Sequence, residues 1–235
     1  MSGKIYIIPN TLGNVSLDNS IPVYTNKIIK NLDIYIVENK KSAIRFIKNI
    51  CPEKSTSKLK FLTLNKLTDE FEISNYLNPC VNGQSIGLLS DAGCPAIADP
   101  GSEIIRMAHE RKIKIIPLVG PSSVILGMMS SGMNGQNFAF NGYLPINKLD
   151  RKLKLKKLEK RSYVDRQAQI FIETPYRNNS ILKELCNILN PNTELCIASD
   201  LTLPSERIYT KQICDWKNYK IELNKKPTIF IIQKN

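Results

Sequence analysis

The chain has little of what metal and disulfide chemistry is built from. It holds one histidine, His109, and six cysteines at 51, 80, 94, 186, 196 and 214 without any C-x-x-C pair. The usual zinc spacing and a disulfide framework are both missing, so no metal is expected. The cysteines read as reduced, buried thiols of a cytosolic protein. No apolar run approaches the roughly 18 residues of a membrane helix. The start, MSGKIYIIPN, enters a short strand directly, without a basic stretch and a long apolar segment. The expectation is a soluble, cytoplasmic protein with no membrane partner. G-x-G-x-x-G is absent, which removes the dinucleotide fingerprint. There is also no internal repeat and no low-complexity linker.

Acidic residues are in short supply: 21 against 33 Lys and Arg, a formal net charge of +12 with a sequence pI near 9.4. That balance is an electrostatic footprint for a polyanion such as RNA. Coding bias in a Lys-, Asn- and Ile-rich chain gives the same balance without any such partner. With 42% hydrophobic and 23% charged residues over 235 positions, the composition is ordinary for one large domain or two small ones.

What is present is organised around 86–120, IGLLSDAGCPAIADPGSEIIRMAHERKIKIIPLVG. The apolar run Ile86 to Leu89 stops at Ser90-Asp91-Ala92-Gly93, and a second turn signal follows at Asp99-Pro100-Gly101. Apolar positions then recur with helical spacing at Ile104, Ile105, Ala108 and Ile113. The pattern predicts strand, glycine-bearing loop, helix, strand. Small side chains at Ala92, Gly93 and Ala96 let a ligand lie on the backbone, and Asp91 and Asp99 supply acceptors. Open α/β sheets bind ligands at such strand ends, so the loop is expected to hold a small cofactor.

Before it, strands are predicted at 4–8, 34–37 and 59–64, with helices ending at 32 and spanning 42–50 and 68–77. Ala43, Phe46, Ile47 and Ile50 form the apolar face of the second helix. This alternation implies a mostly parallel, doubly wound sheet. Composition turns to Pro, Gly and Ser at 117–123, which places the join between an N-terminal domain, 1–117, and a C-terminal domain, 118–235. The second domain is predicted to carry a small-residue helix at 124–131, a basic segment at 148–161, a helix at 178–189 and short strands ending in a central one at 228–233. Its sheet is expected to be mixed. The fold class is therefore α/β, two α/β domains with a cofactor cleft between them. His109 sits in a charged helix beside Glu110 and Arg111 and is discounted as a base.

The strings SDAGCPAIADPG, PLVGPSS, FAFNGYLP and FIETPYRN, in that order, resemble the tetrapyrrole methylase superfamily. With the opening IYIIPNTLGN they are most similar to its branch acting on small-subunit ribosomal RNA at a cytidine ribose 2'-hydroxyl. The likeness runs from the first strand to the last. It implies an S-adenosylmethionine-dependent methyltransferase, often a homodimer, acting on small-subunit ribosomal RNA or the ribosomal subunit. Carried over by position, the cofactor residues are Ser90, Asp91, Ala92, Gly93, Cys94, Pro95 and Ile97, the turn Pro121, Ser122 and Ser123, and Glu173, Thr174 and Thr228. Proton acceptors at strand ends are Asp91, Glu38 and Glu173, with Asn14 as an orienting group. Lys148, Arg151, Lys152, Arg177 and Arg207 are expected to contact RNA phosphates, although a charge run such as 148–161 is also what a solvated helix face looks like.

Two strings depart from that branch. Where it reads EDTR the chain has Glu38-Asn39-Lys40-Lys41, and where it reads ARELT the chain has Ala198-Ser199-Asp200-Leu201-Thr202. Two other readings of the residues stand beside the RNA enzyme. One is a tetrapyrrole C-methyltransferase, whose carboxylate-rich substrate suits the same lysines. The other is a non-catalytic RNA-binding or assembly module.

Overall fold

The computed structural model describes residues 2–234. They fall into two compact units, one ending at Ser122 and one beginning at Ser123. The first contains β1 (Lys4–Ile8), α1 (Val23–Lys30), β2 (Ile34–Val37), α2 (Lys40–Ile50), β3 (Lys60–Thr63), α3 (Glu70–Asn75), α4 (Asn78–Val81), β4 (Ile86–Leu89), α5 (Ser102–Glu110) and β5 (Lys114–Pro117). Its five strands are all parallel, in the order β3-β2-β4-β1-β5.

Strands covered on both faces need continuous apolar runs, and every residue of β2 and β4 is buried. On one face Ile5, Ile36 and Leu88 pack with Ile73 of α3 and Ile104 and Ala108 of α5. On the other Ile8, Val37 and Leu89 pack with Ile29 of α1 and Phe46 and Ile47 of α2. The centre of the sheet is tight enough to require glycine. A Cβ on Gly87 would stand 2.8 Å from Ile8 Cδ1 and 2.9 Å from the Tyr35 ring. Tyr35 is fully buried, donates its hydroxyl to Ile29 O at 3.0 Å, and has its phenol pushed well above the ordinary range, first by burial.

Residues 118–122 lie with the first unit for stated reasons. The amide of Leu118 donates to Ile7 O at 2.9 Å, one step past the β1–β5 ladder. Gly120 then passes so close to Pro9 that a Cβ there would meet the ring at 2.3 Å. The Cys94 thiol reaches Pro121 O at 3.4 Å.

The second unit contains α6 (Ser123–Ser130), β6 (Phe138–Tyr143), α7 (Lys148–Val164), β7 (Ala168–Ile172), α8 (Asn178–Ile188), β8 (Glu194–Ser199), β9 (Arg207–Gln212), α9 (Ile213–Trp216) and β10 (Thr228–Gln233). Its sheet has the order β6-β7-β10-β8-β9, with β6 parallel to β7 and the other neighbours antiparallel. The last strand is central, as its unbroken apolar run predicts. Phe230 stacks on Phe171 of β7 at 5.7 Å between ring centroids, inside a core shared with Leu155 and Leu158 of α7 and Leu185 of α8. In α7 only Leu155 and Leu158 face that core, whereas Leu149 and Leu153 are 65% and 60% exposed. Among the described residues no helix is long and apolar enough to cross a membrane.

Phe230→Ala should cost about 3–5 kcal/mol, the usual range for emptying an aromatic site in a packed core. Urea unfolding followed by the fluorescence of Trp216, the chain's one tryptophan and part of the same core, reads that loss directly. An unchanged midpoint would show that β10 does not organise this unit.

Candidate active site

In the first unit β1 leads into α1 on one face of the sheet, while its neighbour β4 leads into α5 on the other. The carboxyl ends of these two strands therefore form a topological switch point, where parallel sheets leave a crevice for ligands. The two loops that leave it are fastened together. The amide of Asn10 donates to Gly93 O at 2.9 Å, and that of Gly93 donates back to Asn10 O at 3.2 Å, an isolated antiparallel bridge. The side chain of Asn10, 5% exposed, donates to Asp91 O at 2.9 Å and Ser90 O at 3.3 Å.

Gly93 has φ +66°, where glycine carries no Cβ penalty. Ala96 and Ala98 hold φ +66° and +64°, at a cost of about 1 kcal/mol each for residues with a Cβ. Strain of this kind gathers where a loop must keep one shape for a ligand. The Ser90 hydroxyl, buried, lies 3.2 Å from Ala92 O and 3.4 Å from Gly93 O and also bonds Asp99. Its single proton serves one of these acceptors at a time, so Ser90 holds the loop from within.

Three carboxyls meet at this crevice: Glu38 at the end of β2, and Asp91 and Asp99 after β4. Burial and then the charge of Asp91 raise Glu38, against a hydrogen bond from the Asp91 backbone and the Lys66 charge. Asp99 is pushed up to about 6, first by burial and then by Glu38 and Asp91. Among the described residues none of the three is in an ion pair. The crevice thus holds surplus negative potential, and a small organic cation such as a sulfonium fits it.

The predicted residues divide by unit. In the first, Gly93, Pro95 and Pro121 are buried, Cys94 and Ser122 half-buried, and Ala92 and Ile97 exposed. Burial pushes the Cys94 thiol up, so it is a poor nucleophile. Asn14 is exposed and shares a pocket with Asp91. Asn39, where the resembled branch has Asp, caps α2 by accepting from the amides of Lys41 and Ser42 at 2.9 and 3.3 Å.

Ser123 opens the second unit. There Glu173 is buried, accepts from the Thr174 amide at 2.9 Å, and lies 3.1 Å from Arg177 Nη2 without hydrogen-bond alignment. The β7–β10 register continued by one step sets Thr228 opposite Glu173. Glu173 is therefore paired and buried and does not stand free as a proton acceptor, while Arg177, its side chain 29% exposed, keeps its other N–H donors.

Arg151 calls for a correction. It is 6% exposed and sends Nε and Nη2 to the two oxygens of Glu184 at 2.8 and 2.7 Å, and Nη1 to Pro145 O and Ile146 O at 3.0 and 2.7 Å. A guanidinium with four of its five N–H donors spent in this way fastens α7 to α8 and, buried, is not presented to a phosphate. Glu184 is held below the usual carboxylate range by the Arg151 hydrogen bonds. Lys148, Lys152 and Arg207 are exposed and remain in the basic set. Two residues escape a reading of the sequence as site members: Asn10, signalled only by its place directly after the strand-ending Pro9, and Arg45, an ordinary charge on a helix.

No protein-family model matches the chain. Its sequence is 31% identical, over 234 residues, to the ribosomal RNA small subunit methyltransferase I of Buchnera aphidicola subsp. Schizaphis graminum, covering 98% of this chain and 78% of that protein. The chain belongs to the ribosomal RNA small subunit methyltransferase I family. Relatives of the same name in Vibrio cholerae and Thermotoga maritima are 28% and 26% identical, covering 87% and 91% of this chain and 67% and 90% of theirs. Among solved structures, the methyltransferase CobJ superposes with a TM-score of 0.65 at 13% identity, covering 99% of this chain and 95% of that one. The uroporphyrin-III C-methyl transferase of Thermus thermophilus, complexed with S-adenyl homocysteine, gives 0.58 at 13% identity over 99% and 98%. At that identity these two show that this family member has the tetrapyrrole-methylase fold.

Gly93→Leu should abolish binding of S-adenosylmethionine while the far-ultraviolet circular dichroism stays native, because the strain of a Cβ at φ +66° is about 1–2 kcal/mol and confined to the loop, where the Cβ meets the flexible end of Leu12 at 3.2 Å. Unchanged affinity in equilibrium dialysis would remove the loop from the pocket. Asp99 gives a prediction in pH. Its raised value means the folded chain binds the proton more tightly than the unfolded chain. Its stabilising contribution is therefore full below the ordinary 3.8 and is lost as pH rises through about 6. Asp99→Asn should melt with wild type near pH 4 and above it near pH 8. A melting difference that is constant with pH would discard the assignment.

Proposed function

We propose that the protein transfers a methyl group from S-adenosylmethionine to a ribose 2'-hydroxyl, that of a cytidine in small-subunit ribosomal RNA. Family membership carries this reading, together with the clipped loop and the carboxyl group that would receive the cofactor. The cofactor supplies an electrophilic methyl on a sulfonium, and its demethylated form leaves as the product. The 90–97 loop offers backbone donors and acceptors beside small side chains, the surroundings an adenosine and an amino-acid end require. The surplus negative potential of Glu38, Asp91 and Asp99 attracts the sulfonium.

In-line displacement gains most of its rate from positioning, which is the work of the fastened loops. The hydroxyl must also give up a proton as its oxygen is methylated. Asp91 and Glu38 are the acceptors proposed for it; Glu38, raised first by burial and then by the charge of Asp91, takes a proton more readily than an ordinary carboxylate. Exposed Lys148, Lys152 and Arg207, within a net charge of +12, suit phosphate contacts. A ribosomal substrate suits a cytoplasmic protein. The homodimer rests on the resemblance alone and is read by sedimentation equilibrium.

The test offers labelled S-adenosylmethionine with small ribosomal subunits, free ribosomal RNA and uroporphyrinogen in parallel. Label is expected in RNA and, after digestion to nucleosides, in 2'-O-methylcytidine. Label in the porphyrinoid alone overturns the reading.

A further inference from the structure

Beside the clipped loops, on the α2 side of the first unit, lies a pocket of about 490 Å³. The loop after β1 forms one wall and the face of α2 that carries Ser42, Arg45, Phe46 and Asn49 the other, with Asp91 lining the pocket as well. It adjoins a hollow of about 520 Å³ that shares Ser42, Arg45 and Asp91 with it and adds Asn39 and Lys41. The first volume falls in the range that seats a small ligand.

The polar groups that face this pocket are notable for being unspent. Most asparagines of the unit are committed: Asn10 to the loop clip, Asn39 to the α2 cap, Asn26 and Asn31 to backbone carbonyls. Asn14 and Asn49 line the pocket, are exposed, and make no side-chain hydrogen bond among the described residues. Arg45 stands with them, exposed, its guanidinium without a hydrogen bond or ion pair among the described residues. An unspent guanidinium matches a phosphate bidentately. A side-chain amide, with both donors and an acceptor, matches the edge of a base. Leu12 and Val15, half-buried in the same wall, give such a base an apolar surface. One carboxylate, Asp91, lines both hollows.

We propose that this pocket seats the acceptor nucleotide, unstacked from its strand, with Arg45 taking a phosphate and Asn14 and Asn49 reading the base. The inference rests on the RNA reading above and names the residues that select its substrate. Sequence-specific recognition of RNA works on unstacked bases of this kind. Seating the nucleotide here brings its sugar alongside Asp91, one of the two proton acceptors proposed. Lys41 at the rim suits the neighbouring phosphate.

The experiment measures methyl transfer to small ribosomal subunits as a function of subunit concentration. It compares wild type, Arg45→Ala, Asn49→Ala and the control Lys27→Ala, an exposed lysine of α1 outside both hollows. The two pocket variants should raise KM for the subunit at least tenfold, with cofactor affinity by equilibrium dialysis and melting temperature as in wild type, and Lys27→Ala should leave KM unchanged. Wild-type KM in both pocket variants overturns the pocket and leaves the RNA reading standing. An equal rise in the control also overturns it, as a general effect of lost charge. Failure of wild type to label RNA at all overturns the RNA reading, and the pocket with it.

Discussion

Two backbone hydrogen bonds, exchanged between Asn10 and Gly93, set the form of the candidate site. Parallel strands leave their carboxyl ends apart, and the β1 and β4 loops depart toward opposite faces. The exchanged amides turn that divergence into one rigid edge. The buried Asn10 side chain reinforces it by binding the carbonyls of Ser90 and Asp91. Leaving such donors without partners in the interior would cost about 1–3 kcal/mol each, so the clip and the surrounding core protect one another. The placing of the three carboxyls beside the 90–97 loop and the proposed nucleotide pocket follows from it.

The second unit solves a different problem. Its helix α7 carries Lys148, Lys152, Lys154, Lys156, Lys157 and Lys160, and a helix this basic gains little from its own neighbours. It is anchored instead by Leu155, Leu158 and the Arg151–Glu184 pair. Burying one guanidinium with a bidentate carboxylate and two carbonyls satisfies four of its donor directions. Removing either partner would strand the other charge, the costly case for buried pairs. The neighbouring lysines remain in solvent, where their positive field acts on what approaches.

Much of the fold was legible in the residues. Strands at 4–8, 34–37, 86–89 and 228–233 have the observed bounds because each is an apolar run closed by a turn signal. Strand order was not legible, since periodicity reports burial and is silent on neighbours. Arg151 reads as one more cation in a basic run because its partner, Glu184, lies 33 positions away. Arg177 is a partial case. Its pairing with Glu173 is a single helical turn apart, yet only burial of the carboxylate separates it from an ordinary surface pair. Asn10 differs from any loop asparagine only through its contacts. Residues whose part depends on a distant loop or helix stay hidden in a sequence, whereas residues set by their own strand or turn do not.

The amide cap of α2 has an electrical consequence. A carboxylate in the place of Asn39 would satisfy the same two N–H groups but would also neutralise the partial positive charge of the helix end, about half a unit. The neutral amide satisfies them and leaves that charge in place. The mouth of the pocket therefore sets Lys41, Arg45 and the unneutralised helix end beside the Asp91 carboxylate. A ligand with an anionic end and a reacting hydroxyl would be aligned by that gradient before any contact forms.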